Sequence, residues 1–321
     1  MIDQLDVNRR TAAKAWFASF VRGTLLIFGL LLSFELSLRL SHKTGDLLNS
    51  LGLWVNVREI LSSVVALAFV NLPLGFAEWL CPGTTVKRNY LAAAKFWLAY
   101  LVVAYGWSKI AVLLTAKLGL VPAFAWKIDA DSGGALHPIV VALGILVPLW
   151  AFDFFYYWFH RAQHRFEVLW RFHRVHHSIV HLNCLNSYHH VFEEMFRFPF
   201  IAIPMALLLK VDVPQLVLLS AFVGTWGHYI HSDTRIHLGA FGSVFGDNAN
   251  HRIHHSIKHF NKNFAAVFPI WDMLFGTYQK PERDKFPPVG LESVPPPRSV
   301  FDYLIMPLRR TQSSRPVSHS A

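Results

Sequence analysis

Apolar residues run along this chain in long unbroken blocks, not in the two-residue alternation of a half-buried strand or the one-sided stripe of a surface helix. Blocks from about 16 to 38, 58 to 80, 91 to 114 and 138 to 159 are each long enough, at 1.5 Å per residue, to cross a hydrocarbon core of ~30 Å. They predict about four transmembrane helices. Polar connectors separate them: SHKTGDLLNS, CPGTTVKRN and the longer AKLGLVPAFAWKIDADSGGALHP. Pro73 and Pro148 fall within the second and fourth blocks, where a kink is tolerated because neighbouring groups re-satisfy the backbone. Glu35 and Arg39, four apart near the end of the first block, read as an interfacial ion pair.

Two shorter blocks come next, FRFPFIAIPMALLLK and PQLVLLSAFVGTWGHYI, separated by VDV. Each is marginal for a crossing, so the pair predicts a re-entrant hairpin that dips into the bilayer and returns to the face it left. Beyond residue 280 the sequence PERDKFPPVGLESVPPPRS is rich in proline and predicts an irregular tail. The chain thus divides into an N-terminal transmembrane region at 1–136, a central part at 137–280 and a C-terminal tail at 281–321. Its first residues, MIDQLDVNRRTAAKAW, lack the small-residue cleavage site of a removable signal peptide. The fold class expected is all-α, an integral membrane helical bundle.

Composition agrees and narrows the choice. Hydrophobic residues make up 53% and charged residues 16%, against roughly 25% charged in a soluble domain, which excludes an ordinary soluble enzyme. With only Cys81 and Cys184, a disulfide scaffold and a four-thiolate metal site are excluded as well. The net charge of +10 lacks the basic stripe with interleaved aromatics that nucleic acid requires, so an anionic membrane surface is the expected partner and nucleic acid is not. Lys and Arg gather before the first block (Arg9, Arg10, Lys14), between the second and third (Lys87, Arg88, Lys95) and after the fourth (Arg161, Arg165, Arg171, Arg174). The positive-inside rule then places both termini, and the segment beyond the fourth span, in the cytoplasm. Tyr156, Tyr157 and Trp158 fit an interfacial aromatic belt at that span's end.

The segment beyond the fourth span is rich in histidine: 15 of the chain's 18 lie between His160 and His259. In DFFYYWFHRAQH, His160 and His164 share one helical face, with Asp153 two turns earlier. RFHRVHHS sets His173, His176 and His177 at i, i+3 and i+4, and NHRIHHS repeats that spacing with His251, His254 and His255. Each triplet can aim three neutral imidazoles inward from one helical turn, and eight such ligands exceed what one ion can use. A cytoplasmic, histidine-rich helical cap holding two ions is expected, with iron, zinc, copper or nickel as suitable metals. His42, His137 and His319 lie outside the cluster and read as solvated or interfacial, and His181, His237 and His259 as flanking groups. Asp153, Asp247 and Asp272 are candidate acceptors for the ring N–H groups opposite the metal, and Asp272 is equally a candidate to cap or anchor the WDMLFGTY segment.

These three boxes, followed by FPIWDMLFGTY, resemble the fatty acid hydroxylase/sterol desaturase superfamily of integral-membrane enzymes, over roughly residues 150 to 280. The resemblance implies a membrane-bound non-haem di-iron oxidoreductase, a catalytic domain over 137–280, two iron ions as cofactors, O2 as co-substrate and hydroxylation or desaturation of a lipid or sterol-like substrate. It carries metal binding onto His160, His164, His173, His176, His177, His251, His254 and His255. Two further ligands come from SYHHVFEE, which selects His190 over His189, and from HYIHSD, which selects His231 with His228 as competitor. The departure NKNFA, where an Asn-Tyr-Gly-like stretch is expected, leaves those two choices open. The chain has no G-x-G-x-x-G nucleotide fingerprint and no haem or iron–sulfur motif, so a separate electron donor, a b-type cytochrome or a ferredoxin with its reductase, is implied; Arg161, Arg165, Arg171 and Arg174 can dock it. Two alternatives are a di-zinc membrane hydrolase, which needs neither oxygen nor reductant, and a metal transporter. The transporter is disfavoured because the histidines come after the spans instead of lying within them.

Overall fold

The computed structural model describes residues 55–309 apart from 86–89, 127–136, 212, 283–284 and 293, together with scattered helical positions between 17 and 50. The predicted span at 16–38, with Glu35, and likewise Arg39, His42 and His319, therefore lies largely or wholly outside the described residues. The described part is mostly helical, and the remaining apolar blocks each become one helix: α1 Val55–Leu80, α2 Tyr90–Leu118 and α3 His137–Arg165. α1 and α2 contain the two described stretches long and apolar enough to cross a membrane, Glu59–Leu80 and Ala93–Leu118. Their outward faces expose Leu72, Phe76, Trp79, Leu91, Leu98 and Val112, side chains that lipid accommodates and water does not. α1 runs through Pro73 and α3 through Pro148 without a break in the helix.

α3 is the spine of the site. Its 29 residues span about 43 Å, so the apolar part continues as one rigid rod into His160 and His164. α4, Glu167–His177, begins after the single residue Phe166 and folds back on α3. Its mean polarity is high, yet Leu169, Trp170, His173, Val175, His176 and His177 are all buried, so the helix is held by the face it turns to the site.

The two shorter apolar blocks form a helical hairpin. The outgoing arm is α5 Glu193–Arg197, a π-helical turn Phe198–Ala202 containing Pro199, and α6 Ile203–Leu208. The return is α7 Val213–His231. At the tip, β2 Leu209–Val211 pairs in parallel with β1 Phe124–Trp126, beyond the end of α2. The hairpin thus leaves the histidine region at Glu193, reaches the level of the far end of α2, and comes back at His231.

The second histidine triplet lies on α8, Asn248–His254, and the FPIWDMLFGTY stretch on α9, Ile270–Leu274. Gly276 closes α9 at φ +71°, a left-handed position at which a Cβ-bearing residue is strained. Two apolar cores flank the site. One joins α1, α3 and α7 to the 264–271 segment through Leu74, Leu149, Tyr157, Trp226, Val267 and Trp271. The other joins α2 and α4 to the chain's end through Phe96, Trp170, Val175, Tyr188, Leu291 and Tyr303. The expected irregular tail thus contains a helix, α10 Val300–Ile305, capped by the Ser299 hydroxyl and carrying the fully buried Tyr303.

Candidate metal centre

Nine of the ten histidines singled out from sequence converge in two adjoining groups. His160, His164, His173, His177 and His254 form the first, and His176, His231, His251 and His255 the second, with the ligand atoms of each group within 4.8 Å of one another. All nine are nearly or fully buried. α3 supplies two to the first group, α4 divides its three between both, α8 does the same, and α7 ends on His231. The i, i+3, i+4 spacing explains that division, because His173 and His177 lie one turn apart while His176 is rotated towards the second group.

His190 is placed elsewhere. Its Nε2 lies 3.3 Å from the Leu304 carbonyl and its Nδ1 accepts from the Phe192 N–H, so the ring serves the contact with α10. Its neighbour His189 occupies the space beside the second group, its ring flat against His176 at 4.1 Å between centroids and 16°. His228 joins neither group, and its Nδ1 lies 2.7 Å from the Cys184 carbonyl.

The tautomers are fixed by backbone carbonyls, which only accept hydrogen bonds. Nδ1 of His160 donates to Phe264 O at 2.7 Å, His254 to Lys262 O at 2.8 Å, His176 to Tyr188 O at 2.9 Å and His231 to Gly227 O at 2.6 Å. In a neutral ring the proton on Nδ1 leaves a bare lone pair on Nε2. The ring nitrogens Nε2 of His231 and His176 nevertheless sit 3.1 Å apart, each tautomer set by its own carbonyl, so two lone pairs face each other with no proton between them. A cation resolves that opposition.

The same spacing repeats throughout: His160–His173 at 3.0 Å, His164–His177 at 3.1 Å, His254–His177 at 3.0 Å, His251–His231 at 2.9 Å and His255–His251 at 3.1 Å, all between Nε2 atoms. Burial and mutual repulsion keep the rings neutral. They hold His160, His176, His177, His251 and His255 well below the ordinary histidine value. Burial alone is the main cause at His231 and His254, both brought down to about 3.

Asp153 and Asp247, expected to hold imidazole N–H groups, hold backbone instead, and Asp272 takes the anchoring one of its two expected roles. Asp153 accepts from the N–H groups of Ala266, Val267 and Phe268, and Asp272 from those of Phe264 and Ala265 and from the Thr277 hydroxyl. Asp247 caps α8 through Ala249 and Asn250. Asp153 and Asp272 thus fix the segment whose carbonyls orient His160 and His254. The carboxylate that does touch imidazole is Glu193, which periodicity does not reveal because it sits where a loop enters a short helix; its i,i+4 relation to His189 is the one sequence signal.

Glu78 on α1 was also hidden within an apolar block. It is fully buried and accepts from the N–H groups of Cys184 and Asp233 and from the Tyr90 hydroxyl, joining both loops that flank the second group. Arg174, expected on a docking surface, is buried and donates to the carbonyls of Met306 and Arg309. Arg171 pairs with Glu167 on its own helix. Arg161 and Arg165 remain at the mouth of a cavity of about 500 Å³, walled by Trp158, Phe166 and Asn261, that reaches His164.

The Fatty acid hydroxylase family model matches residues 145–277, from within α3 to just past α9. Alkylglycerol monooxygenase from Danio rerio is 33% identical over 135 residues, 41% of this chain and 30% of its own length. Ornithine lipid hydroxylase OlsE from Rhizobium tropici is 30% identical over 154 residues, 47% of this chain and 45% of its own. The Delta(7)-sterol 5(6)-desaturase erg3B from Aspergillus fumigatus is 31% identical over 136 residues, 42% and 38%. The chain therefore spans less than half the length of each of these relatives. No solved structure matches it. The matched segment contains all nine converging histidines, and over it the chain is similar to members of the fatty acid hydroxylase/sterol desaturase superfamily.

Proposed function

We propose that the chain is a membrane-bound di-iron oxidoreductase that uses O2 and external electrons to hydroxylate a lipid, with His160, His164, His173, His177 and His254 holding one iron and His176, His231, His251 and His255 the other. The opposed lone pairs of His176 and His231 carry this reading. Donor separations of 2.9–3.1 Å support iron over tetrahedral zinc. With metal–nitrogen bonds of about 2.1 Å, neighbouring ligands at right angles lie about 3.0 Å apart and tetrahedral ones about 3.4 Å. A hydrolytic di-zinc site is further disfavoured because the relatives are named as a monooxygenase, a hydroxylase and a desaturase.

Bound iron would supply oxygen activation and oxidation of an unactivated C–H bond. The chain's own part is to keep buried imidazoles such as His160, His176 and His255 neutral, to fix the tautomers of His160, His176, His231 and His254 through carbonyls, and to flank the site with the two apolar cores. Hydroxylation is favoured over desaturation by two relatives named for oxygen insertion. α1, α2 and α3, with the 16–38 block, are read as four spans with both termini cytoplasmic, and the hairpin as a re-entrant pair. Substrate enters from the bilayer. Electrons come from a b-type cytochrome or a ferredoxin, docked at Arg161 and Arg165, where the cavity approaches His164. The test is iron-loaded protein incubated with membrane lipid, reductant and labelled oxygen. Gain of one labelled oxygen in a lipid, abolished in His176→Ala, is expected. Equal product in the variant, or product without oxygen, overturns the reading.

A further inference from the structure

Glu193 is a carboxylate that touches two imidazoles at the site. It is fully buried at the start of α5, and a single oxygen, Oε2, receives three donors. Nδ1 of His173 lies 3.3 Å away, Nδ1 of His189 3.2 Å and the side-chain amide of Gln163 2.5 Å. A carboxylate can only accept, so both imidazoles carry their proton on Nδ1 and present a lone pair at Nε2. For His173 that lone pair faces His160 and His177 in the first group, at 3.0 and 3.1 Å. For His189 the hydrogen bond sets the plane of a ring that lies against His176 of the second group. Carbonyls orient His160, His176, His231 and His254 one at a time, whereas Glu193 orients two rings, one in the first group and one against the second.

We propose that Glu193 is a positioning residue that couples the two metal sites, fixing His173 in the first and, through the ring of His189, His176 in the second. This rests on the metal reading above. Gln163 is part of the device: its amide donates to Oε2 from α3, one residue before His164, and so holds the carboxylate against the helix that carries the first histidine pair. Glutamine at 193 would turn either its amide nitrogen towards three donors or the weaker acceptor of a neutral amide towards two imidazoles. Its volume is unchanged, so packing is preserved.

The experiment is anaerobic iron(II) titration of detergent-solubilised full-length protein, with Mössbauer spectra of the loaded forms. Wild type, Glu193→Gln, Glu193→Ala and His189→Ala are compared, each also in a His160→Ala background that isolates the second site and a His251→Ala background that isolates the first. Glu193→Gln should weaken iron affinity roughly 10- to 100-fold at both sites and alter both Mössbauer signals. His189→Ala should weaken the second site and leave the first. Unchanged affinities in Glu193→Gln overturn the proposal, as does a loss confined to one site. If Glu193→Ala fails to fold, the isosteric Glu193→Gln decides. Failure of wild type to bind iron at all would instead overturn the metal reading, and this proposal with it.

Discussion

The two histidine groups lie side by side and share α4 and α8, yet they are held from opposite directions. The first leans on the 262–268 segment: Phe264 and Lys262 carbonyls orient His160 and His254, and Asp153 and Asp272 hold that segment through five backbone N–H groups. The second leans on the hairpin and the 184–190 loop: Gly227 and Tyr188 carbonyls orient His231 and His176, Glu78 ties the loop to the hairpin's end, and Tyr303 donates to the His189 carbonyl. The first group thus rests on Asp153 and Asp272 and the second on Glu78, each acid acting through backbone N–H groups. A charged acceptor buried without water persists only when fully occupied by donors, so each acid makes its loop a fixed part of the site.

The contrast can be broken most sharply at the ligands. His254→Ala should remove the first iron and His251→Ala the second, each taking lipid oxidation below about one-hundredth, the top of the range seen for mere second-sphere changes; metal analysis would report which iron is lost. Acid comes next and should strike both groups. His231 and His254 bind their protons far more weakly in the folded chain, near pH 3, than in the unfolded one at about 6.5. As pH falls through about 6.5 the unfolded chain takes up protons that the folded chain refuses, so the metal-free protein should lose stability progressively towards acid, read as a falling Tm between pH 8 and pH 5.

The supporting acids separate the groups again. Asp153→Ala strands the buried N–H donors of Val267 and Phe268, at ~1–3 kcal/mol each, and the part-buried one of Ala266, and should lower the first site's iron occupancy before the second's. Glu78→Ala should show the opposite order, since its donors Cys184 and Asp233 border the second group. The smallest effect belongs to Tyr303→Phe, which deletes one buried hydrogen bond to His189 O and should cost ~1 kcal/mol in thermal melting with a slight weakening of the second iron.

Much of this site was legible in the sequence because its signals are local. Hydropathy placed α1, α2 and α3 within a few residues, and the repeated i, i+3, i+4 spacing on α4 and α8 put six histidines on inward faces. The hidden remainder depends on tertiary partners. The 178–192 loop has no period from which to choose between His189 and His190, and α10 decides where His190 goes by offering it the Leu304 carbonyl. Asp153 shares a helical face with His160, but three N–H groups from the 266–268 segment reach its carboxylate. Tyr303 looked like part of a proline-rich tail because its burial depends on Phe96 and Tyr188, far away in the chain.

The guanidinium of Arg174 gives this a genetic reading. It lies between His173 and Val175, buried, and its acceptors are the carbonyls of Met306 and Arg309. A premature stop codon at Val300 would leave every histidine of the two groups translated and still remove both acceptors, the hydroxyl that steadies His189, and the helix that seals the second core. Such an allele should behave as a null, indistinguishable in a lipid-oxidation assay from loss of a histidine of either group.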